Sequence, residues 1–269
     1  MNARTVVRKL ESAITNPRRV RNYLLGLVNW WPVRRLDHPG FANMPVYCVS
    51  LPQAVRRRRL MRRQATRAGF VNFVFLDAID GRDNTLEGFT ASGDYDPVEA
   101  TRFHRNGLTV GEVATTLSHG AAYEAIVRSG HEQALILEDD ALLIRRLLER
   151  VDLHALPDDW DLVFLNSFLA ERPPRDQVRG RIYGTRSWYG SSAAYLLTQQ
   201  AARRLAEAYR PVIHAADGLL GRNLAALPDG DDQGFRRMGA ATSLVGYVLY
   251  PEPFLNGSTV KFTGTLLDT

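Results

Sequence analysis

Cysteine is nearly absent from this sequence: Cys48 stands alone among 269 residues. A single thiol excludes an intrachain disulfide framework. It lies within the apolar run Val46-Tyr47-Cys48-Val49, where a buried thiol acts as a small hydrophobe rather than a nucleophile. Lysine is almost as scarce, with only Lys9 and Lys261 among 34 basic residues, so arginine in place of lysine carries little functional information here. No run of about eighteen apolar residues occurs, which excludes a membrane-spanning helix of ordinary length. The first residues show no long apolar core followed by a small-residue cleavage site, so a cytoplasmic location is the expectation.

Charge is abundant but unevenly placed. Residues 1–36 hold eight basic residues and one acid, a local charge of +7; the remaining 26 bases and 28 acids leave −2. The basic pI therefore comes from the N-terminal arm. Inside it, Tyr23 through Val33 is apolar and aromatic, with Trp30 and Trp31, and arginines flank it. That stretch is too short to cross a bilayer but suits an interfacial contact with anionic lipid. A helix packed on the following domain is the alternative. A nucleic-acid arm is a third reading, but no recognised nucleic-acid module follows, so no nucleic acid is expected. The division expected is a basic arm over 1–43 and one domain over 44–269, the whole peripheral on the inner face of the cytoplasmic membrane. Hydrophobic content of 45% is ordinary for a globular core.

Strands and helices alternate along the rest. Pro45–Leu51 reads as a strand, Ala54–Ala68 as a helix stopped by Gly69, and Val71–Leu76 as a second strand. Gly81–Gly107 is turn-rich, a loop with short helical pieces. Thr109 with Glu112 predicts a capping box at the head of a helix over Gly111–Ser129. Ala134–Leu137 is a third strand, Ala141–Arg150 a helix, Trp160–Asn166 a fourth strand, Ser191–Leu197 a fifth, and Gln199–Tyr209 a helix. This order predicts an α/β domain with a mostly parallel central sheet flanked by helices.

The most informative stretch is Leu135-Ile136-Leu137-Glu138-Asp139-Asp140. Three apolar residues of a buried strand run into three carboxylates. Open α/β sheets bind ligands beyond the carboxyl ends of their strands. Adjacent carboxylates repel and are seldom assembled without a cation. Hard ions such as Mg²⁺ and Mn²⁺ favour such oxygens, often shared with substrate phosphates. A solvated acidic loop is the plain alternative. Strand alternation would put Glu138 and Asp140 on one side and Asp139 on the other.

Other motifs flank this one. Val46-Tyr47-Cys48-Val49-Ser50-Leu51 precedes Arg57, Arg58 and Met61; Phe75-x-Asp77-Ala78-Ile79-Asp80-Gly81 follows. Leu108-Thr109-x-Gly111-Glu112-Val113 leads to Leu117-Ser118-His119 and Tyr123-Glu124-x-Ile126. Asp159-Trp160-Asp161-Leu162-Val163-Phe164-Leu165 and Ala194-Tyr195-Leu196-Leu197-Thr198 come after the acidic triplet. In this order and spacing they resemble glycosyltransferase family 25, the lipooligosaccharide glycosyltransferases that also include collagen galactosyltransferases. Each motif alone is weak; several in order are specific. The resemblance covers roughly Pro45 to Ser258.

The resemblance implies a GT-A-like single domain and an inverting hexosyl transfer, β-galactosyl from UDP-galactose onto a lipooligosaccharide or related glycan. A divalent ion, Mn²⁺ or Mg²⁺, would assist as cofactor. Asp140 becomes the first choice of metal ligand. Asp139 contacts metal or ribose, and Glu138 is equally a structural acceptor. Ser50, Leu51, Arg57, Arg58 and Asp77 become donor contacts; for the arginines the alternative is a solvated basic helix, and Asp80-Gly81 suits a plain turn. His119 with Ser118 matches a signature pair and, with Glu112, takes a site-shaping role; a satisfied structural histidine is the alternative. Asp217, after Pro211, matches the family's late aspartate and is the candidate general base. It could instead complete a metal or acceptor site, or cap a helix over Gly218–Leu224, with Asp231 and Asp232 the next candidates. Two departures stand out: Ser50-Leu51-Pro52-Gln53 replaces the family's Asn-Leu-Asp-Arg, and Ala114-Thr115 replaces its Gly-Cys. A metal-dependent phosphohydrolase and a non-catalytic membrane-associated scaffold are the competing functions.

Overall fold

The computed structural model describes residues 39–166, 176–185, 191–225 and 243–257. The arm over 1–36 and the loop with Asp231 and Asp232 lie outside the described residues. Chain order runs α1 (Pro39–Ala42), β1 (Pro45–Ser50), α2 (Val55–Ala68), β2 (Asn72–Asp77), α3 (Leu86–Ala91), α4 (Pro97–Phe103), α5 (Val110–Ser129) and β3 (Gln133–Glu138). Then come β4 (Ala141–Leu143), α6 (Arg145–Leu148), β5 (Leu162–Phe164), β6 (Gln177–Arg179), β7 (Ile182–Gly184) and β8 (Ala194–Thr198). After these stand α7 (Gln199–Ala208), α8 (Ala216–Arg222), β9 (Gly246–Leu249) and β10 (Phe254–Asn256).

Eight strands form the central sheet in the order β2-β1-β3-β8-β5-β9-β7-β6, and β4 pairs with β10 apart from it. Following the pairings across, six strands run one way and only β8 and β7 are reversed. The fold is thus mixed α/β with helices on both faces. That layering explains the unbroken apolar runs, because a strand covered on both sides needs apolar residues at every position. Tyr47, Val49, Ile136 and Tyr195 share one core with Leu117, Tyr123 and Ile126 of α5 and Leu205 of α7. Val46, Cys48, Leu135, Leu137 and Leu196 share the other with Met61 and Ala65 of α2. Phe41 is fully buried in this second core, its ring 6.0 Å from that of Phe70. At the edge, β2 alternates in exposure and leaves Val74 half exposed.

Local chemistry sets the helix ends. α2 stops at Gly69, whose φ of 76° is left-handed and whose N–H bonds back to the carbonyls of Ala65 and Thr66. At the head of α5, Thr109 Oγ1 accepts from the Glu112 N–H at 3.3 Å and Glu112 Oε2 accepts from the Thr109 N–H at 2.7 Å. This is the capping box expected, worth about 1 kcal/mol.

Three elements differ from the sequence reading. Ala141–Arg150 is not one helix: Ala141–Leu143 is strand, paired with Asn256–Phe254, and only Arg145–Leu148 is helical. A short apolar run is ambiguous between helix and strand, and here a distant partner decides. The fourth strand is confined to Leu162–Phe164, and the fifth runs Ala194–Thr198, antiparallel to both neighbours. Among the described residues, no helix is long and apolar enough to cross a membrane.

Candidate functional site

β3 ends at Glu138, and Asp139-Asp140 form a tight turn into β4. Glu138 and Asp139 turn to opposite sides, as strand alternation predicts. Glu138 reaches toward α5, and Asp139 toward β1 and α2. Asp140 is 5% exposed, and its carbonyl accepts from the Gly257 N–H at 2.8 Å.

On the β1 side a polar cluster surrounds Asp139. Ser50 Oγ donates to its Oδ2 at 2.7 Å, and Arg57 Nη1 donates to its Oδ1 at 3.1 Å. Arg58 straps the ends of β1 and β2 together. Its Nη2 donates to the Ser50 carbonyl at 2.7 Å and to Asp77 Oδ1 at 2.5 Å, and its guanidinium lies over the Phe75 ring. Asp77 is largely exposed and the Leu51 carbonyl closes the turn into α2 by accepting from Ala54. Of the two arginines, Arg57 is the more open, at 38% side-chain exposure. Asp80 is a turn maker: Arg82 holds it through side-chain and backbone hydrogen bonds, which keep its carboxyl at about 2, and Gln53 bonds it too. Cys48 is buried behind this cluster, and burial with the nearby Asp139 charge pushes its thiol well up, so it is no nucleophile.

On the α5 side a buried relay ends at Glu138. The hydroxyls of Tyr123 and Tyr195 are 3.3 Å apart, Tyr195 meets His119 Nδ1 at 2.8 Å, and His119 Nε2 meets Glu138 Oε1 at 3.3 Å. Ser192 Oγ donates to the same Oε1 at 2.5 Å. Both tyrosines and His119 are fully buried. Burial pushes the Glu138 carboxyl up, but the His119 and Ser192 bonds outweigh it and hold the group below the usual range. Burial raises both phenols, so they stay protonated. Ser118, next to His119, accepts from the Ile79 N–H at 2.9 Å and donates to the Ala114 carbonyl at 2.6 Å. It fixes the segment after β2 onto α5.

A cavity of about 470 Å³ opens here, lined among others by Glu112, Thr115, Glu138, Ser191, Ser192, Asp217 and Asn256. Three carboxylates therefore face one polar space, and Asp217 comes to it from the first turn of α8. Its Oδ1 accepts from the Gly218 N–H at 2.7 Å. Burial, then the charges of Glu138 and Glu112, raise its pKa above the ordinary aspartate range. Asp217 is not the N-cap of this helix, whose N-cap is Ala215. Ser192, Ser191 and Asn256 were not singled out in the sequence, and Thr115 only as a departure from the family pattern. The serines stood inside an expected strand, and Asn256 is delivered by β10 pairing with β4, a contact with no local signal.

A divalent ion can be judged against this arrangement. Among the described residues, no three His, Cys, Asp or Glu side chains gather at metal-ligating spacing. Ions such as Mg²⁺ often keep several waters and take one or two carboxylates with substrate phosphates, without a protein cage. The adjacent Asp139 and Asp140 suit that mode.

Comparison with known proteins follows the same line. A sequence profile of glycosyltransferase family 25 (LPS biosynthesis protein) matches residues 43–220, about two thirds of the chain. A glycosyltransferase 25 family member from Aedes aegypti is 26% identical over 60% of this chain and 28% of its own length. A probable inactive glycosyltransferase 25 family member 3 from Bos taurus is 29% identical over 65% of this chain and 30% of its own. Procollagen galactosyltransferase 1 from Danio rerio is 24% identical over 74% of this chain and 33% of its own. The chain thus spans about 30% of the length of such curated relatives. A crystal structure of a glycosyltransferase involved in glycosylating the major capsid of PBCV-1 aligns with a TM-score of 0.33 at 12% identity, covering 60% of this chain and 62% of that one. From the profile match across most of the described core, the chain belongs to glycosyltransferase family 25.

Proposed function

We propose that this chain is a glycosyltransferase that moves a hexose from a nucleotide sugar onto a hydroxyl of a glycan acceptor. The observation that carries the reading is the shared cavity. Glu112, Glu138 and Asp217 wall one polar space at the carboxyl end of β3, one residue from the Ser50–Arg57–Asp139 cluster. Arginine beside a strand end suits a diphosphate, and a hydroxyl-rich cavity lined by carboxylates suits a sugar. The family assignment supports the same chemistry, and the name of the Danio rerio relative supports galactose, with UDP-galactose the first donor to test. The family's description as LPS biosynthesis supports a lipooligosaccharide acceptor.

Inverting transfer needs a base on the side of the attacking hydroxyl. Asp217 is the base in this reading. Its carboxylate takes the acceptor proton as the hydroxyl oxygen bonds to the anomeric carbon. The bond from that carbon to the diphosphate oxygen breaks, and the electron pair leaves with the nucleoside diphosphate. Arg57 and Arg58 orient the diphosphate. Asp140 and Asp139 would hold Mn²⁺ or Mg²⁺, which when bound offsets negative charge on the leaving group.

The test is transfer by the full chain from UDP-galactose to a lipooligosaccharide acceptor, with and without Mn²⁺, read as glycosylated product by mass spectrometry. Acceptor-dependent product supports the reading. Equal release of UDP and sugar without acceptor would assign hydrolysis instead, and no turnover with retained vesicle binding would assign a scaffold.

A further inference from the structure

The relay behind Glu138 has a geometry the transfer reading does not use. Oε1 of Glu138 receives two donors, His119 Nε2 at 3.3 Å and Ser192 Oγ at 2.5 Å. Among the described residues Oε2 receives none, yet the side chain is 24% exposed and lines the cavity. An ionised carboxylate only accepts, so His119 must present an N–H to it. His119 cannot swing away, because it is fully buried and its other nitrogen meets Tyr195, which stacks on it with ring centroids 5.8 Å apart. One oxygen is therefore clamped from both sides, and the other is aimed at the open space.

We propose that Glu138 Oε2 is the group that accepts a hydrogen bond from a hydroxyl of the transferred hexose, with His119 and Ser192 as positioning residues. The inference rests on the hexosyl-transfer reading. Sheet order supports placing the sugar here. Arg58 of α2 ties the ends of β1 and β2 through Ser50 and Asp77, Asp139 stands at the end of β3, and Ser192 lies ahead of β8, the next strand across. A donor with its diphosphate at Arg57 extends its sugar toward β3 and β8, where Glu138, Ser192 and Asn256 line the cavity.

The clamp makes a sharp substitution available. In Glu138→Gln the carbonyl oxygen stays against His119 and Ser192, since both donate, and the amide nitrogen takes the cavity position. The mount is kept while the cavity-facing acceptor becomes a donor. A charged hydrogen bond lost in this way costs about tenfold to a hundredfold in affinity.

The experiment measures UDP affinity, UDP-galactose affinity and steady-state transfer for wild type, Glu138→Gln, His119→Gln and His119→Leu. UDP-glucose and the monodeoxy donors at C2, C3, C4 and C6 of UDP-galactose complete the set. Glu138→Gln is expected to leave UDP affinity unchanged and weaken UDP-galactose by about tenfold to a hundredfold. One deoxy donor is expected to show the same loss with wild type and no further loss with the variant. His119→Gln, whose amide reaches as Nε2 does, is expected to recover most of what His119→Leu loses. If wild type transfers hexose but Glu138→Gln matches it on every donor, the assignment is overturned while the transfer reading stands. If wild type neither binds nor transfers any of these donors, both fall. Should Glu138→Gln fail to fold, the wild-type deoxy series decides: a flat response across all four positions overturns the assignment.

Discussion

Replacing Asp217 by Asn is the most decisive perturbation of the proposed chemistry. The change is nearly isosteric, and its Oδ1 can still accept from the Gly218 N–H, which is bonded at 2.7 Å in the native chain. Helix α8 keeps its packing through Leu219 and Leu220, both essentially buried, so the fold should survive. What is lost is the ability to take a proton. Loss of a general base costs about 10²–10⁴-fold in rate, or roughly 3–5 kcal/mol of transition-state stabilisation. The environment adds a second signature. Burial and the charges of Glu138 and Glu112 raise the Asp217 pKa, so the native rate should fall with one proton on the acid side, at a pH above the ordinary aspartate value of 3.8. The variant should lack that limb. The same raised pKa has a stability consequence: the folded chain holds the proton more tightly than the unfolded one. Stability from this group is complete below the unfolded value and is lost as pH rises through the folded one. The assay is kcat across pH for both proteins, with UDP affinity measured alongside. A collapse of UDP affinity together with rate would make Asp217 a metal or donor ligand. An unchanged rate would refute a base role altogether.

Further outcomes follow from other parts of the structure. Asp140→Asn should keep the fold yet lower transfer with Mn²⁺ by orders of magnitude, and near-normal turnover would remove Asp140 from the metal assignment. Gly120→Ala should destabilise by about 1–3 kcal/mol, since a Cβ there overlaps the buried Tyr209 ring, whose hydroxyl is tied to Glu124 at 2.5 Å; denaturant midpoints measure it. His214 is held neutral by burial and by Arg222 and His104, with its pKa lowered from 6.5 to about 3. Its contribution is full above pH 6.5 and is lost as pH falls toward 3, a slope of up to about 1.4 kcal/mol per pH unit that His214→Asn should remove from acid unfolding curves. Deleting residues 1–36 should abolish salt-sensitive binding to anionic vesicles and spare transfer to a soluble acceptor, as read by co-sedimentation at two salt concentrations and by product formation.

Much of this protein was legible along the chain because the signals are local. Period, caps and turns named β1, α2, β2, α5 and β3, since a capping box or a left-handed glycine depends on a few neighbouring residues. The acidic end of β3 stood out because the apolar run Leu135-Ile136-Leu137 reads as a strand buried on both faces, and Glu138 follows it directly. The motif order also carried the family. Alternation anticipated that Glu138 and Asp139 face opposite ways, but tertiary structure alone decided what each of them meets. The turn at Asp139 sends one carboxylate to Ser50 and Arg57 and its neighbour to His119 and Ser192, residues separated in sequence by 89 and 54 positions for the two serines. It alone placed Asn256 in the cavity, through a β10 partner for β4, and turned the first residues of an expected helix into a strand. The physical reason is the same in each case. Backbone preference is written within a few residues, whereas which carboxylate is clamped, which is raised in pKa and which faces open space depends on side chains that only folding brings within hydrogen-bond reach.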